Sequence, residues 1–258
     1  MRRVILIATS VSMLAAGAFA QGTPSSKATA AINTAVGCTV TTAVGSDIPA
    51  QSCHDIFTGA ATPVTADNFA TIMTATIKTS NSQSLFVSPS LVTGLYTDTK
   101  VKTSPGQTST AVAEGGVYLR AVVTNQATGD TQIGYPVAAC NPDILGCHAD
   151  LNGNYGVTLD ARLQQLSQTI SACIVTVGDL TGTCTFDLTT DLILKTTSAH
   201  TFNFIFPNIG VGTYTVSIQA AVNSNATLSG SGAAVGAAAY GLGSLTVESV
   251  RLVHDFSF

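Results

Sequence analysis

Two alternating runs between Thr201 and Ala220, TFNFIFPNIGVGTYTVSIQA, constrain the fold of this chain more than any other feature. Successive side chains on a strand point to opposite faces, so each run presents one apolar face and one largely polar face. The residues between the runs, Pro207 to Gly212, supply the fixed and positive φ angles of a turn. The sequence therefore predicts a hairpin. Because an isolated hairpin is marginally stable, the rest of the chain must supply further strands and a second layer.

Strand-forming segments recur along the rest of the chain. Phe69–Lys78 is rich in β-branched residues, and Gly116–Asn125 has the apolar run of a strand buried on both faces. Val157–Thr169 fits both helical and strand spacing, and its β-rich context favours a strand. Regular strand spacing predicts an all-β protein, an antiparallel β-sandwich of jelly-roll or immunoglobulin-like type over residues 67–258. An N-terminal arm and a disulfide-stapled hairpin are expected to precede it over residues 21–66.

Some segments carry signals that interrupt or alter a strand. Leu85–Thr97 is expected to form one or two strands broken at Pro89, because proline cannot donate to the ladder. Phe186–Leu194 fits a strand or a short helix. Leu228–Gly243 is a Gly/Ala-rich tract, which indicates mobile or closely packed backbone. The last predicted strand runs from Leu245 to Phe258.

The first 20 residues have the layout of a secretory signal peptide. Arg2 and Arg3 form the basic start, Val4 to Gly17 the apolar core, and Ala18 to Ala20 the small-x-small cleavage site. No later segment is long and apolar enough to cross a bilayer as a helix. We therefore expect a mature chain that begins at Gln21, without a transmembrane helix, in an extracellular or cell-surface location, with the periplasm as an alternative.

Charge is scarce in this chain. Once Arg2 and Arg3 are removed, eight basic residues remain against fourteen acidic ones. This balance disfavours a nucleic-acid partner, because a phosphate backbone requires a basic surface. Charged residues make up 9% of the chain, well below the roughly 25% usual in soluble domains. The resulting Thr-rich, neutral surface is typical of a secreted β-protein or of one that packs against copies of itself.

Six cysteines in a chain with an export signal indicate disulfides. Six cysteines allow about fifteen connectivities, and we predict the nearest-neighbour pairs because each couple flanks a turn-rich segment that a hairpin would close. A thiolate metal site is disfavoured because no C-x-x-C pair occurs. The predicted pairs are Cys38 with Cys53, Cys140 with Cys147, and Cys173 with Cys184.

A candidate calcium loop lies at Asp150, Asn152 and Asn154, where oxygen-bearing side chains occupy alternate positions. Asp160 is the candidate that would close the site, because no Glu occupies the twelfth position. Calcium is the one cofactor that the sequence suggests, and such a site would serve a calcium-dependent ligand-binding domain, with carbohydrate as one ligand class. The alternative is an Asn/Gly turn between strands, which needs no metal.

Two of the four histidines, His54 and His148, lie beside cysteine couples and next to aspartates. If folding brought the two loops together, they would form a catalytic or metal site, as in a secreted hydrolase. The sequence contains no G-x-S-x-G elbow, P-loop, dinucleotide fingerprint or H-E-x-x-H motif. The sequence therefore predicts a non-enzymatic protein.

The C-terminal residues Leu252, Phe256 and Phe258 alternate toward an aromatic end. Such an ending is similar to the closing strand of outer-membrane barrels, so an outer-membrane-associated β protein is an alternative. The aromatic content of 6% and the six cysteines argue against it.

Several segments together resemble a loose set of uncharacterised secreted β-rich bacterial proteins. The resemblance runs from about residue 68 to the end, and it implies a single exported β domain without an established activity. With the neutral surface, it leads us to expect a secreted non-catalytic module with a structural or adhesive role, which associates with itself or with a cell-surface partner. The segments are 77–81 (IKTSN), 91–97 (LVTGLYT), 197–204 (TSAHTFNF), 212–220 (GTYTVSIQA) and 243–252 (GSLTVESVRL).

Overall fold

Strands form nearly all of the regular structure in the computed structural model, which describes residues 27–44, 51–57, 61–177, 180–184 and 186–251. In that part of the chain, a short helix α1 (Cys53–Ile56) and a 3₁₀ turn (Val137–Ala139) are the helical elements, and no helix is long and apolar enough to cross a membrane. The strands are β1 (Ala28–Asn33), β2 (Val36–Val44), β3 (Ala61–Pro63), β4 (Ala70–Thr79), β5 (Gln83–Thr103), β6 (Thr108–Asn125), β7 (Thr131–Ile133), β8 (Cys147–Ala149), β9 (Tyr155–Thr169), β10 (Ile174–Val177), β11 (Leu180–Thr183), β12 (Leu188–Thr201), β13 (Phe204–Ile209), β14 (Gly212–Ser229) and β15 (Ser231–Val250).

Two sheets pack face to face, so the predicted all-β sandwich is confirmed. Sheet A has the order β12-β5-β15-β2-β3, with β1 beside β15 and β13 beside β5. Sheet B has the order β4-β14-β6-β9-β8, with β7 beside β6, and β10 and β11 form a separate hairpin. The pairings are antiparallel apart from β2 with β3. The strand preferred for Val157–Thr169 is confirmed as β9. The predicted signal peptide, His254 and residues 252–258 of the last predicted strand lie outside the described residues.

The predicted hairpin between Thr201 and Ala220 is wrong. β13 pairs with β5 in sheet A, whereas β14 pairs with β4 and β6 in sheet B. The chain therefore crosses between the sheets at Gly210 and Val211, and the carbonyl of Gly210 accepts a hydrogen bond from the Thr79 hydroxyl at 2.6 Å. This crossing places the apolar faces of the two strands opposite each other across the core, where a hairpin would place them side by side.

The expected break at Pro89 does not occur, because β5 runs without interruption from Gln83 to Thr103. Pro89 on β5 lies opposite the short connection between β12 and β13, which runs from Thr201 to Phe204. There the Pro89 carbonyl accepts from the N–H of Phe202 at 3.1 Å. The missing proline donor thus coincides with a gap between two neighbouring strands, which is where a sheet tolerates proline.

The interior of the sandwich has two halves of different composition. The wide half encloses large apolar side chains and is formed by the beginnings of β5 and β14 and the ends of β6 and β15. The narrow half encloses small side chains and is formed by the end of β5 and the beginnings of β6 and β15. The large buried side chains include Phe204, Phe206, Ile77, Leu85, Leu119 and Ile218. The core of the narrow half is Val101, Ala111, Ala113 and Ala234.

Close backbone approach explains the small residues of the narrow half. A Cβ atom on Gly115 would lie 2.6 Å from the carbonyl oxygen of Ala237. One on Gly236 would collide with the carbonyl oxygens of Glu114 and Asn225. Of the two interpretations of the Gly/Ala-rich tract, the structure supports closely packed backbone, since this tract enters the buried strand β15.

Three disulfides join the predicted nearest neighbours, Cys38 to Cys53, Cys140 to Cys147 and Cys173 to Cys184. The last encloses the β10–β11 hairpin, as expected. The first does not staple a hairpin, because it ties α1 to the outer face of sheet A and the next strand, β3, runs parallel to β2. Ile56 and Phe57 thereby cover apolar residues on that face.

Candidate functional site

The edges of the two sheets lie next to each other on one lateral side of the narrow half. In the described residues, β12 pairs only with β5, and β9 beyond its first residues pairs only with β6. We call the surface formed by these two edges and the β10–β11 hairpin the β9–β12 side. The opposite lateral side is bridged as well, where the hydroxyl of Thr41 on β2 donates to the carbonyl of Ser224 on β14 at 2.9 Å.

Polar side chains of β9 bridge the two sheets at this side. The buried Gln164 donates from Nε2 to the Thr99 hydroxyl and to the Leu192 carbonyl, each at 2.6 Å, and accepts from the Thr97 hydroxyl at 2.6 Å. These bonds satisfy an amide and two hydroxyls that would otherwise be buried without partners. Two further bridges join Arg162 to Thr196 at 2.7 Å and Gln168 to Thr190 at 3.2 Å.

A carboxylate, an imidazole and a hydroxyl meet at the end of the same row. Asp160 Oδ2 accepts from the buried Thr93 hydroxyl at 2.6 Å and from the Ser198 hydroxyl at 3.3 Å, and lies 3.4 Å from His200 Nε2. The Ser198 hydroxyl also lies 2.8 Å from the same His200 nitrogen. A Ser-His-Asp triad needs the carboxylate and the serine on different ring nitrogens. This arrangement therefore links β12 to β9 and does not activate a nucleophile.

Apolar side chains are exposed in unusual density on the β9–β12 side. Of the fifteen large apolar side chains that are exposed in the described residues, nine lie between residues 163 and 194. On β12, Ile193 is 56% exposed, and Leu192 and Leu194 are each 42% exposed. The remaining members are Leu163, Ile174, Val175, Val177, Phe186 and Leu188. These side chains lie on β9, on the β10–β11 hairpin, and on β12 and the residues just before it; large exposed apolar patches are typical of interaction surfaces.

Charged groups accompany β12 on the outer face of sheet A. Lys195 donates from Nζ to the Ile56 carbonyl, and this nitrogen lies 6.0 Å from the centre of the Phe57 ring. Burial, together with the nearby charge of Asp191, raises the pKa of Asp98 to about 6. The Tyr96 hydroxyl donates to Asp98 Oδ2 at 3.3 Å. This hydrogen bond stabilises the charged carboxylate, but it lowers the pKa by less than burial and Asp191 raise it.

The candidate calcium residues are not assembled into one site. The buried Asp150 carboxylate accepts from the N–H groups of Asn152 and Asn154 at 2.9 and 2.8 Å, from Asn154 Nδ2 at 3.1 Å and from the N–H of Phe69 at 3.4 Å. Burial raises the pKa of Asp150, but these hydrogen bonds outweigh it and leave the pKa below its ordinary value. Asp160 lies instead in the Thr93–His200 cluster. The Asn/Gly turn is thus the interpretation that the geometry supports.

The two candidate histidines of a hydrolase belong to different sheets. His54 lies on α1, which covers sheet A, whereas His148 lies on β8 at the edge of sheet B. His148 stacks on Tyr118 with ring centroids 3.5 Å apart, and its Nε2 lies 2.8 Å from Asp67 Oδ1. Across the part of the chain that the structure describes, no three His, Cys, Asp or Glu side chains are grouped to hold a metal ion.

Sequence reasoning did not identify the β9–β12 side. The sequence pattern predicts Asp160 only as a calcium ligand, and Gln164 and Ser198 belong to no recognisable motif. No local signal brings β9 next to β12, because the β10–β11 hairpin separates them along the chain. One signal was available on β12, where Leu192, Ile193 and Leu194 are consecutive and apolar in a Thr-rich segment. Comparisons with protein-family models, with curated proteins and with solved structures give no match to this chain.

Proposed function

We propose that this protein is an exported, non-catalytic module with a structural or adhesive role at the cell surface or in the extracellular matrix. Its three disulfides support the compartment, because such bonds persist in oxidising environments outside the cytoplasm. The layout of the first 20 residues supports export. In this proposal the β9–β12 side is the surface through which the module makes its contacts.

The observation that carries the proposal is the concentration of exposed apolar side chains next to two unpaired strand edges. Unpaired edges offer N–H and C=O groups to another chain. Apolar side chains beside them add hydrophobic burial to any such contact. Both features lie on the β9–β12 side, where Gln164 and Asp160 of β9 accept from or donate to groups of β12, namely the Leu192 carbonyl and the Ser198 hydroxyl.

The test is the location of the full-length protein in the cells that produce it, before and after changes to this surface. We expect the isolated protein to begin at Gln21 and to remain attached to the cell envelope or matrix. A variant with Leu163→Ser and Phe186→Ser, which have exposed fractions of 63% and 50%, should be released into the medium. The matched control changes Ile32 and Val211 to Ser, since both are exposed apolar residues that lie away from this side, on β1 and between β13 and β14.

Two outcomes would contradict the proposal. A protein that keeps its first 20 residues and stays inside the cell would remove the extracellular role. Equal retention of the two double variants would show that the β9–β12 side makes no contact of the proposed kind. Circular dichroism of both variants confirms that each is folded.

A further inference from the structure

The middle of β12 has a symmetry that the fold does not need. Residues 189–197 read TTDLILKTT, which is the same in both directions about Ile193 except that Asp191 stands where Lys195 stands in the other half. When two such segments run antiparallel with Ile193 opposite Ile193, each Asp191 lies opposite a Lys195 of the second copy. Each Leu192 then lies opposite a Leu194. The segment is therefore complementary to itself in charge and in apolar character.

The backbone groups of this segment point to the outer edge at the residues that the pairing needs. Both β12 and the first part of β13 pair with β5 in one continuous register. In this register the even-numbered Phe202 donates its N–H inward, toward β5, to the carbonyl of Pro89. The odd-numbered Ile205 uses its N–H and C=O outward, with Tyr135 as partner at 3.0 and 2.9 Å. Because β12 shows no register shift, alternation directs the N–H and C=O of Asp191, Ile193 and Lys195 outward as well.

The side chains of the segment would form matched pairs on both faces of the extended sheet. Lys195 contacts α1, so Asp191, Ile193 and Lys195 lie on the outer face of sheet A. There one Ile–Ile pair would be flanked by two Asp–Lys pairs, and on the other face two Leu–Leu pairs would form. Directly opposite apolar and opposite-charge pairs each stabilise a sheet. A shift of the register would lose both ion pairs, so the charges specify the alignment.

We propose that two copies of this chain form a two-fold symmetric dimer in which β12 pairs antiparallel with β12, with Ile193 opposite Ile193. The two copies of sheet A then form one continuous sheet, and the contact is isologous and closed. This inference deepens the proposed structural role and rests on it, by naming a second copy as the partner of the β12 edge. Lys195 keeps its bond to Ile56 in the dimer, because an ammonium group has three donors.

The first test replaces the residue on the two-fold axis. Ile193→Lys places two like charges opposite each other, so the dimer dissociation constant should rise by more than about 100-fold. Val211→Lys is the matched control, since Val211 is 67% exposed and lies between β13 and β14. Sedimentation velocity of the mature protein over a wide concentration range gives the oligomeric state. A wild-type protein that stays monomeric throughout, or a dimer that Ile193→Lys leaves intact, would overturn the proposal.

The second test uses charge reversal to determine the register in which the two β12 strands pair. Asp191→Lys and Lys195→Asp should each weaken the dimer by about tenfold or more, because each places like charges opposite one another twice. The double variant with both changes restores opposite charges and should dimerise again. Failure of the double variant to recover, in a protein with unchanged thermal unfolding, would refute the proposed alignment.

A third measurement traps the contact covalently. Residues directly opposite in an antiparallel pair have Cα atoms about 5.5 Å apart when they exchange hydrogen bonds, which is within disulfide reach. Ile193→Cys should therefore give a covalent dimer on oxidation, and Val211→Cys should not. If the protein dimerises but does not attach to cells, this result contradicts the proposed function and not the dimer. Attachment by a strictly monomeric protein would contradict the dimer alone.

Discussion

The wide and narrow halves of the sandwich are stabilised in different ways. In the wide half, Phe204 and Phe206 fill the space between the sheets with large apolar side chains. In the narrow half, Gly115 and Gly236 let the backbones of the two sheets approach closely, and the lateral opening is bridged by polar side chains such as Gln164. Larger apolar residues of the narrow half, among them Ile193, are exposed on the surface. Large buried apolar side chains are thus concentrated in one half, and exposed ones are most frequent in the other.

The largest expected effect comes from the wide half. Phe206→Ala removes a fully buried ring and should lower the free energy of unfolding by about 4 kcal/mol, through lost burial and the cavity that remains. Phe186→Ala is the matched control in the narrow half, where the same change at a half-exposed ring should cost less than about 1 kcal/mol. Urea unfolding of both variants measures the difference. Equal losses would show that the two halves do not differ in the way described.

The next prediction adds an atom to the narrow half. Because the backbones of the two sheets are closely packed there, we expect an added Cβ atom to be tolerated as poorly as the loss of a buried ring in the wide half. Gly236→Ala forces a Cβ atom against the carbonyl oxygens of Glu114 and Asn225, so the free energy of unfolding should fall by about 3 kcal/mol. At Gly182 a Cβ atom meets nothing within 4 Å, and Gly182→Ala is the control. Thermal unfolding of the two variants compares them, and an unchanged Gly236→Ala protein would mean that the sheets can separate at little cost.

The smallest of the three effects concerns the buried carboxyl on the outer face of the narrow half. Asp98 has a pKa of about 6 in the folded chain, against about 3.9 when unfolded. Folding therefore favours the protonated form, so the contribution of Asp98 is fully present below about pH 4 and is lost as the pH rises through about 6. Lys100 opposes this shift, whereas Asp191 reinforces it.

Asp98→Asn should remove that dependence on pH. Relative to the wild type, the variant should gain about 2 kcal/mol in unfolding free energy between about pH 4 and pH 8. Asp143→Asn, which removes an exposed aspartate in the loop before β8, is the control for the loss of a charge. Urea unfolding at several pH values gives the comparison. A wild type whose stability does not change over this interval would place the pKa of Asp98 near its ordinary value.

The sequence allowed the layered β architecture and the disulfide pairs to be predicted, because both follow from local signals. Alternation in Phe204 to Phe206 identifies a strand, and nearby cysteines such as Cys173 and Cys184 flank a turn-rich segment that brings them together. The pairing of strands does not follow from alternation. An apolar face has the same pattern whether its neighbour in sequence lies beside it or across the core. The sequence therefore predicts a hairpin where β13 and β14 belong to different sheets.

The candidate sites show a second reason for error. Asp150 has the spacing of a calcium ligand, but its oxygens are satisfied by the turn that it closes. Asp160 instead accepts from Thr93, which is 67 residues away in sequence, and this contact depends on the packing of the sheets. Such long-range contacts leave no local pattern in a single sequence. The β9–β12 side depends on the packing of the two sheets, because β9 and β12 belong to different sheets.

The three disulfides have a consequence for a protein exposed to proteases. Each joins cysteines that are close along the chain, with separations of 15, 7 and 11 residues. The enclosed segments contain the last part of β2, the loop before β8 and the β10–β11 hairpin. A single cut within any of these segments leaves the two new ends tethered, so the nicked chain remains one molecule until its cystines are reduced. Loss of mass after digestion should therefore become visible only under reducing conditions.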